Sequence, residues 1–265
     1  MSISTGRFAE EAVQVAQTRL YVLKGGTGHP LLVLHGVEGH EGWLAFHEAL
    51  ADYATVYAPS HPGYGHTERP DWMETVAHQA VFYHWFLQEA GLQSVDLVGV
   101  GVGGWIAAEM AVMCVDKLRH LVLVDAAGIR PHGEEILDIF IIPWREVVER
   151  SFYDAQHSSE YQRIYRAAPI QEFGGTREAG RSMSIRMCYR PYMHDPALLP
   201  TLGKIRVPTL VVWGAQDQII PIECGHLYQQ AIPRARLRVI ERCGHWPHFE
   251  QPQALAEIIR EFASG

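Results

Sequence analysis

Residues 94–110 read SVDLVGVGVGGWIAAEM. An apolar run passes through Gly99, Gly101, Gly103 and Gly104 into a helix-forming stretch. Two reactive turns share this pattern. Taken as Gly99-x-Gly101-x-x-Gly104, it satisfies G-x-G-x-x-G, the turn that lays a dinucleotide pyrophosphate on a helix N-terminus. Asp125, which ends the next apolar run, fits the ribose-binding acid expected about 20 residues further on. Taken as G-x-nucleophile-x-G, the stretch is a strand–sharp turn–helix elbow that lifts a nucleophile above a sheet. Gly101 then stands where the nucleophile belongs.

The flanking pattern separates the two. Residues 11–24 alternate apolar and polar, as an edge strand pair does. LLVLHG (31–36) is a short apolar run ending in a turn, the mark of a buried parallel strand. A helix is expected at 43–52, a strand at 54–60, a helix at 74–90 closed by Gly91, then strand 94–99, helix 103–115 and strand 119–124. The rhythm breaks over residues 130–200, which are richer in charge and aromatics and read mostly as helix. It resumes with strand 207–214, helix 221–231, strand 236–241 and helix 252–263. Strands alternating with helices give an α/β fold with a mostly parallel twisted sheet flanked by helices. The core is expected at 1–129 and 201–265, with 130–200 as an inserted helical cap. A dinucleotide fingerprint belongs on the first strand of its fold, and several elements precede this one.

The bulk numbers exclude other classes. A chain of 265 residues with 48% apolar and 20% charged residues suits one large globular domain. A formal charge of −8 and the lack of a basic run argue against a nucleic-acid partner. No apolar run is long enough to span a bilayer. The N-terminus lacks a basic region followed by an apolar one, so no secretory signal is expected. Cys114, Cys188, Cys224 and Cys243 show no C-x-x-C spacing, which implies neither a disulfide framework nor a zinc site. The reading is a reduced, cytoplasmic protein with a small-molecule substrate, no metal and no cofactor. Nothing in the sequence speaks against a homo-oligomer.

Further motifs fit the elbow and have no role in the dinucleotide fold. His35-Gly36-Val37 follows the run at 31–34; APSHPGYGHT occupies 58–67; Gly214-Ala215-Gln216-Asp217 follows VVW; Gly244-His245, with Glu250 and Pro252, precedes the last helix. Together, from about residue 20 to the C-terminus, these motifs resemble the α/β-hydrolase superfamily, in its capped branch of esterases and carbon–carbon bond hydrolases. SIRMCYRPYMHDP (184–196) is similar to the cap exit of that branch. The order elbow, Asp217, His245 is also the family's order.

The resemblance implies the roles. His245 is the base and Asp217 the acid that orients it. Asp217 can also cap the helix before which it stands. The Val37 and Val102 amides form the oxyanion hole, since unpaired N–H groups at a helix start favour an anion. His35, Gly36, Glu38, Trp105, Phe140 and Trp144 are expected around the substrate. For Glu38 and His40 the nearer reading is exposure to solvent, the other contact with a polar substrate. Asp125 reads as structural before it reads as an alternative acid, and His61 as structural before pocket-lining. A metal site from His35, Glu38, His40 and His61 has no recognisable ligand spacing. Cys243 reads as a buried filler. Arg186 and Arg190 meet either a substrate carboxylate or the surface.

The departure is Gly101, where the family pattern asks for Ser, Asp or Cys. Glycine tolerates the strained elbow, so the fold survives, while covalent catalysis from that position does not. Three readings stay open: a non-covalent enzyme in which His245 deprotonates water or substrate, a ligand-binding protein that kept the pocket, and a serine-to-glycine variant of a serine hydrolase. The substrate is expected to be a small or medium carbonyl compound, partly apolar.

Overall fold

The computed structural model describes residues 7–113, 116–166 and 176–265; Cys114 and the end of the helix expected at 103–115 lie outside them. Among the described residues the strands are β1 (Phe8–Val15), β2 (Thr18–Gly25), β3 (His29–Leu34), β4 (Ala54–Pro59), β5 (Val95–Val100), β6 (Leu118–Val124), β7 (Thr209–Gly214) and β8 (Arg236–Ile240). The helices are α1 (Ala45–Ala51), α2 (Val76–Glu89), α3 (Val102–Val112), α4 (Trp144–Arg150), α5 (Ser159–Tyr161), α6 (Thr176–Cys188), α7 (Leu198–Thr201), α8 (Ile222–Ala231), α9 (Pro247–Glu250) and α10 (Pro252–Ser264).

All the strands join one sheet in the order β1-β2-β4-β3-β5-β6-β7-β8. The β1–β2 and β2–β4 pairs are antiparallel, and β3 to β8 run parallel. This is the mostly parallel α/β sheet that the strand–helix alternation predicted, and the α/β-hydrolase fold that the motif resemblance implied. Each central strand is apolar on both sides because both sheet faces are covered. Leu32, Leu34, Leu97, Leu121, Leu123 and Val211 face α2 and α3. Their neighbours Leu31, Val33, Val98, Val122, Val124 and Val212 face α1 and α10. A one-residue slip would exchange the two sets.

The strand order reverses between β3 and β5. Ligand crevices form at such switch points, beyond the carboxyl ends of the strands. The turns after β3, β5, β6, β7 and β8 all open at that edge because these strands are parallel. Glycine enforces close packing here: a Cβ on Gly103 would lie 2.2 Å from Leu34 O, and one on Gly99 2.2 Å from Gly103 O. The glycines therefore seat α3 on β3 and β5, which accounts for the pattern that mimics a dinucleotide turn. Among the described residues between β6 and β7, helix is confined to short segments and α6, and residues 130–143 are irregular. The expectation of mostly helix over 130–200 fits the described residues from Trp144 on and fails over 130–143, which Pro131, Gly133 and Pro143 punctuate; residues 167–175 of the expected cap lie outside the described residues.

Candidate active site

Gly101 sits at the apex of the turn from β5 into α3, with φ 53° and ψ −118°. That backbone region is costly for a side chain and open to glycine. The turn is pinned on both sides: Gly101 N donates to Val124 O at 2.9 Å, and Ala127 N donates to Gly101 O at 3.0 Å. A Cβ built on Gly101 would still have room, 3.5 Å from His245 Nε2 and 3.7 Å from Gly36 Cα.

His245 reaches this point from the turn after β8. Its Nδ1 lies 2.7 Å from Asp217 Oδ2, and both side chains are buried. An imidazole that donates from Nδ1 leaves its Nε2 lone pair toward Gly101. Asp217 is held in turn: its Oδ1 accepts from Ile219 N at 2.7 Å and Ile220 N at 3.0 Å. It therefore closes a turn rather than capping α8, which begins after Pro221 without a side-chain cap. Glu250 holds the histidine turn from below. It accepts from Gly244 N at 2.8 Å, and from Tyr153 N and Asp154 N of the segment between β6 and β7.

Asp125 is fully buried at the end of β6. Its Oδ1 accepts from Gly214 N at 2.8 Å. Burial and the adjacent charge of Asp217 hold its carboxyl well above the usual range. Cys243 is buried too, and burial pushes its thiol up, the reverse of what an attacking thiolate needs.

On the other side of Gly101 lies the turn after β3. Neither Val37 N nor Val102 N donates to another group among the described residues. The loop is braced by Glu38, whose Oε1 accepts from Gly36 N at 2.8 Å and lies 3.4 Å from His248 Nε2. Burial alone would raise the Glu38 carboxyl; the hydrogen bond and charge of His248 outweigh it and leave it below the ordinary range. Glu38 thus does not face solvent. His40 is half-buried, with Nε2 3.2 Å from Ala58 O. In HGVEGHEGW the charge folds inward because the Gly36 amide and His248 offer it partners.

His35 and His61 form a dry pair with rings 3.7 Å apart. His35 Nε2 accepts from His61 N at 3.1 Å, and His35 Nδ1 donates to Gly36 O at 2.8 Å. His61 donates from Nε2 to His35 O at 2.9 Å and accepts the Tyr83 hydroxyl at Nδ1. These roles require both rings to be neutral. Burial lowers His61 to about 3, and burial with the neighbouring His61 lowers His35 well below its ordinary value. His35 is therefore a brace for its loop, not a wall of the cleft.

The cleft opens beside Val37, with about 780 Å³ of space counted to its mouth; Glu38, Tyr64, Ile139, Phe140, Trp144 and Arg177 are among its walls. Val37, Glu38, Phe140 and Trp144 of the expected residues meet there. Gly36 lies closer to the elbow, its Cα 3.7 Å from where a Gly101 side chain would begin. Trp105 is misplaced by the sequence reading: it packs into the core against Gly128 and donates from Nε1 to Glu109 at 3.3 Å. Arg186 pairs with Glu74 at the surface, at 2.7 Å, and Arg190 lies over Tyr189. The sequence reading missed Arg177, Gly180, Arg181 and Ser184, which also line the cleft. Their i, i+3, i+4, i+7 spacing places them on one face of α6, a signal that was available. Arg177 pairs with Glu41 at 3.2 Å, and Arg181 donates to Phe140 O at 2.7 Å.

An elbow after β5, a buried acid–histidine pair from the turns after β7 and β8, and the undonated Val37 and Val102 amides after β3 and β5 define a class. A sequence model of the alpha/beta hydrolase family matches residues 31–258, and the chain belongs to that family. Among its relatives is 2-hydroxy-6-oxo-2,4-heptadienoate hydrolase of Pseudomonas putida F1, 27% identical over 259 residues, 89% of this chain and 90% of that one. The structure is similar to that of a membrane phospholipase A described as a bacterial virulence factor, with a TM-score of 0.83, 25% identity and coverage of 97% of this chain and 86% of that one. It shares its fold with 2-hydroxy-6-oxo-6-phenylhexa-2,4-dienoate hydrolase of Rhodococcus sp. RHA1, at a TM-score of 0.81 and 20% identity, covering 97% of this chain and 99% of that one. Among the described residues no helix is long and apolar enough to cross a membrane.

Proposed function

We propose that the chain is a hydrolase of a carbon–carbon or ester bond in which His245, oriented by Asp217, acts as a general base without a covalent partner. One observation carries this reading. His245 Nε2 lies 3.5 Å from the point where a Gly101 side chain would begin, with Nδ1 committed to Asp217. A water over Gly101 would fill the space a serine hydroxyl takes in relatives.

The step is direct. His245 Nε2 takes a proton from the water, and the water oxygen bonds to the substrate carbonyl carbon. The carbonyl electron pair moves onto oxygen, where the Val37 and Val102 amides receive the charge. Collapse expels an alkoxide or an enolate, which recovers the proton from His245. The substrate enters the cleft under Ile139, Phe140, Trp144 and α6, which act as a cap. Ile139, Phe140 and Trp144 favour a partly apolar body. Arg177 and Arg181 favour an acidic end, in keeping with the dienoate acids named for two of the similar proteins.

Nitrophenyl esters and a 2-hydroxy-6-oxodienoate, offered to the protein, to Gly101→Ser and to His245→Ala, test the reading. Turnover by the unaltered chain that His245→Ala abolishes is the expected result. Activity in Gly101→Ser alone would overturn it in favour of a serine hydrolase that lacks its nucleophile. Inactivity of all three would turn the assignment toward a ligand-binding protein.

A further inference from the structure

We propose that Asp125 is a neutral carboxylic acid in the folded protein and gives its proton as a hydrogen bond to the Asp217 carboxylate. The histidine's orienting acid is then held from behind by a second acid, and Asp125 is a positioning residue.

The argument begins with the donors. Asp217 receives three groups: Ile219 N, Ile220 N and His245 Nδ1. Asp125 receives one, Gly214 N, and its Oδ2 is buried with no partner among the described residues. A carboxylate oxygen and a ring nitrogen from Asp125, Asp217 and His245 lie within 4.8 Å of one another. Two carboxylates that close in a dry site do not both ionise; one keeps a proton. The proton belongs on the acid with fewer donors, because each N–H stabilises the charged form. Placed on Asp125 Oδ2, it meets the one unpaired oxygen and gives Asp217 a further donor. Burial and the charge of Asp217 act on Asp125 in the same direction.

The groups that face Asp125 come from each neighbouring turn. They are Asp217 after β7 and His245 after β8, together with the Cys243 thiol, itself held protonated chiefly by burial. The backbone contributes as well. Asp125 adopts φ 43°, a conformation few non-glycine residues take. Asn is among those that tolerate it, so Asp125→Asn keeps shape, neutrality and a donor.

Asp125→Asn therefore tests the protonation state without needing turnover. A buried acid that stays protonated costs stability once the unfolded chain has released its proton, above about pH 4. The unfolded state then binds fewer protons than the folded one, and stability falls as pH rises. Denaturant unfolding of the unaltered chain and Asp125→Asn from pH 5 to 8 reads this. The ratio of folding constants should shift toward the Asn variant by up to about tenfold per pH unit. A flat ratio would show Asp125 ionised and overturn the proposal. Should the variant fail to fold, the infrared carbonyl band of a protonated carboxylic acid is sought in the unaltered protein at pH 7; its absence overturns the proposal equally.

The catalytic half rests on His245 being the base. With an active substrate, Asp125→Ala should lower kcat, leave KM unchanged and shift the acid limb of the pH profile, and Asp125→Asn should restore both kcat and the acid limb. An Asn variant as impaired as the Ala variant would overturn that half. The unfolding arm separates this failure from failure of the hydrolase reading.

Discussion

Two buried histidine–carboxylate pairs lie on the loops that flank Gly101, and they differ in what is left over. In the His245–Asp217 pair the contact is 2.7 Å and both Asp217 oxygens are engaged. The His245 Nε2 atom remains, directed at Gly101. In the His248–Glu38 pair the separation is 3.4 Å, and Glu38 Oε2 and His248 Nδ1 are buried with no partner among the described residues. The His248 ring packs against Phe249, with centroids 4.2 Å apart. The first pair leaves a nitrogen aimed at the elbow, where the proposed function puts the reacting atom, whereas the second spends its carboxylate on the Gly36 amide and fixes a loop. Proximity of an acid and a histidine does not make a base; the direction of the free nitrogen does.

The same substitution at the two histidines breaks the comparison most sharply. His245→Ala should lower kcat about 10²–10⁴-fold. His248→Ala should cost activity about tenfold or less and destabilise the fold, since it strands the Glu38 charge in a dry site. Equal losses of activity in steady-state assays would dissolve the distinction. Next in size is Glu38→Ala, which unpairs the buried Gly36 N–H and should cost about 1–3 kcal/mol in denaturant unfolding.

Acid should act through the brace before it acts through the fold as a whole. His61 is lowered to about 3 in the folded state, against about 6.5 unfolded. Between those values the unfolded chain binds the extra proton, so stability is full above pH 6.5 and falls with pH through that window. Thermal unfolding from pH 7 to pH 5 should show the loss, and His61→Gln should lessen it, leaving the part that His35, lowered in the same direction, contributes. The smallest effect belongs to Arg186→Ala, whose exposed pairing with Glu74 at 2.7 Å predicts a change within about 0.5 kcal/mol. A larger loss would show that the surface around α6 matters more than its exposure implies.

The same contrast separates what the sequence makes legible from what it hides. Asp217 and His245 follow β7 and β8 at short, recognisable turns, so chain order alone puts them together. Gly101 is legible for the same reason: its turn lies between a buried strand and a helix. Glu38 is not, because a charged residue in a polar glycine-rich loop looks the same whether it points out or in. Only the fold supplies His248 from 210 positions away. Trp105 was misplaced because α3 is apolar on every side, with Trp105, Ile106, Ala107 and Ala108 all buried, so periodicity cannot tell the cleft from the core. Residues 130–143 are the hardest to read, since Pro131, Gly133 and Pro143 interrupt any periodic signal there.

Gly101 has one more consequence, for how such a protein is noticed. Fluorophosphonates and similar reagents find serine hydrolases by bonding to the hydroxyl at the elbow. On the proposed function this chain would carry the elbow, the base and the amides that receive the reagent, but Gly101 offers no oxygen to bond. Reagent-based surveys of a proteome would therefore pass over it, however much of the surrounding machinery it holds in place.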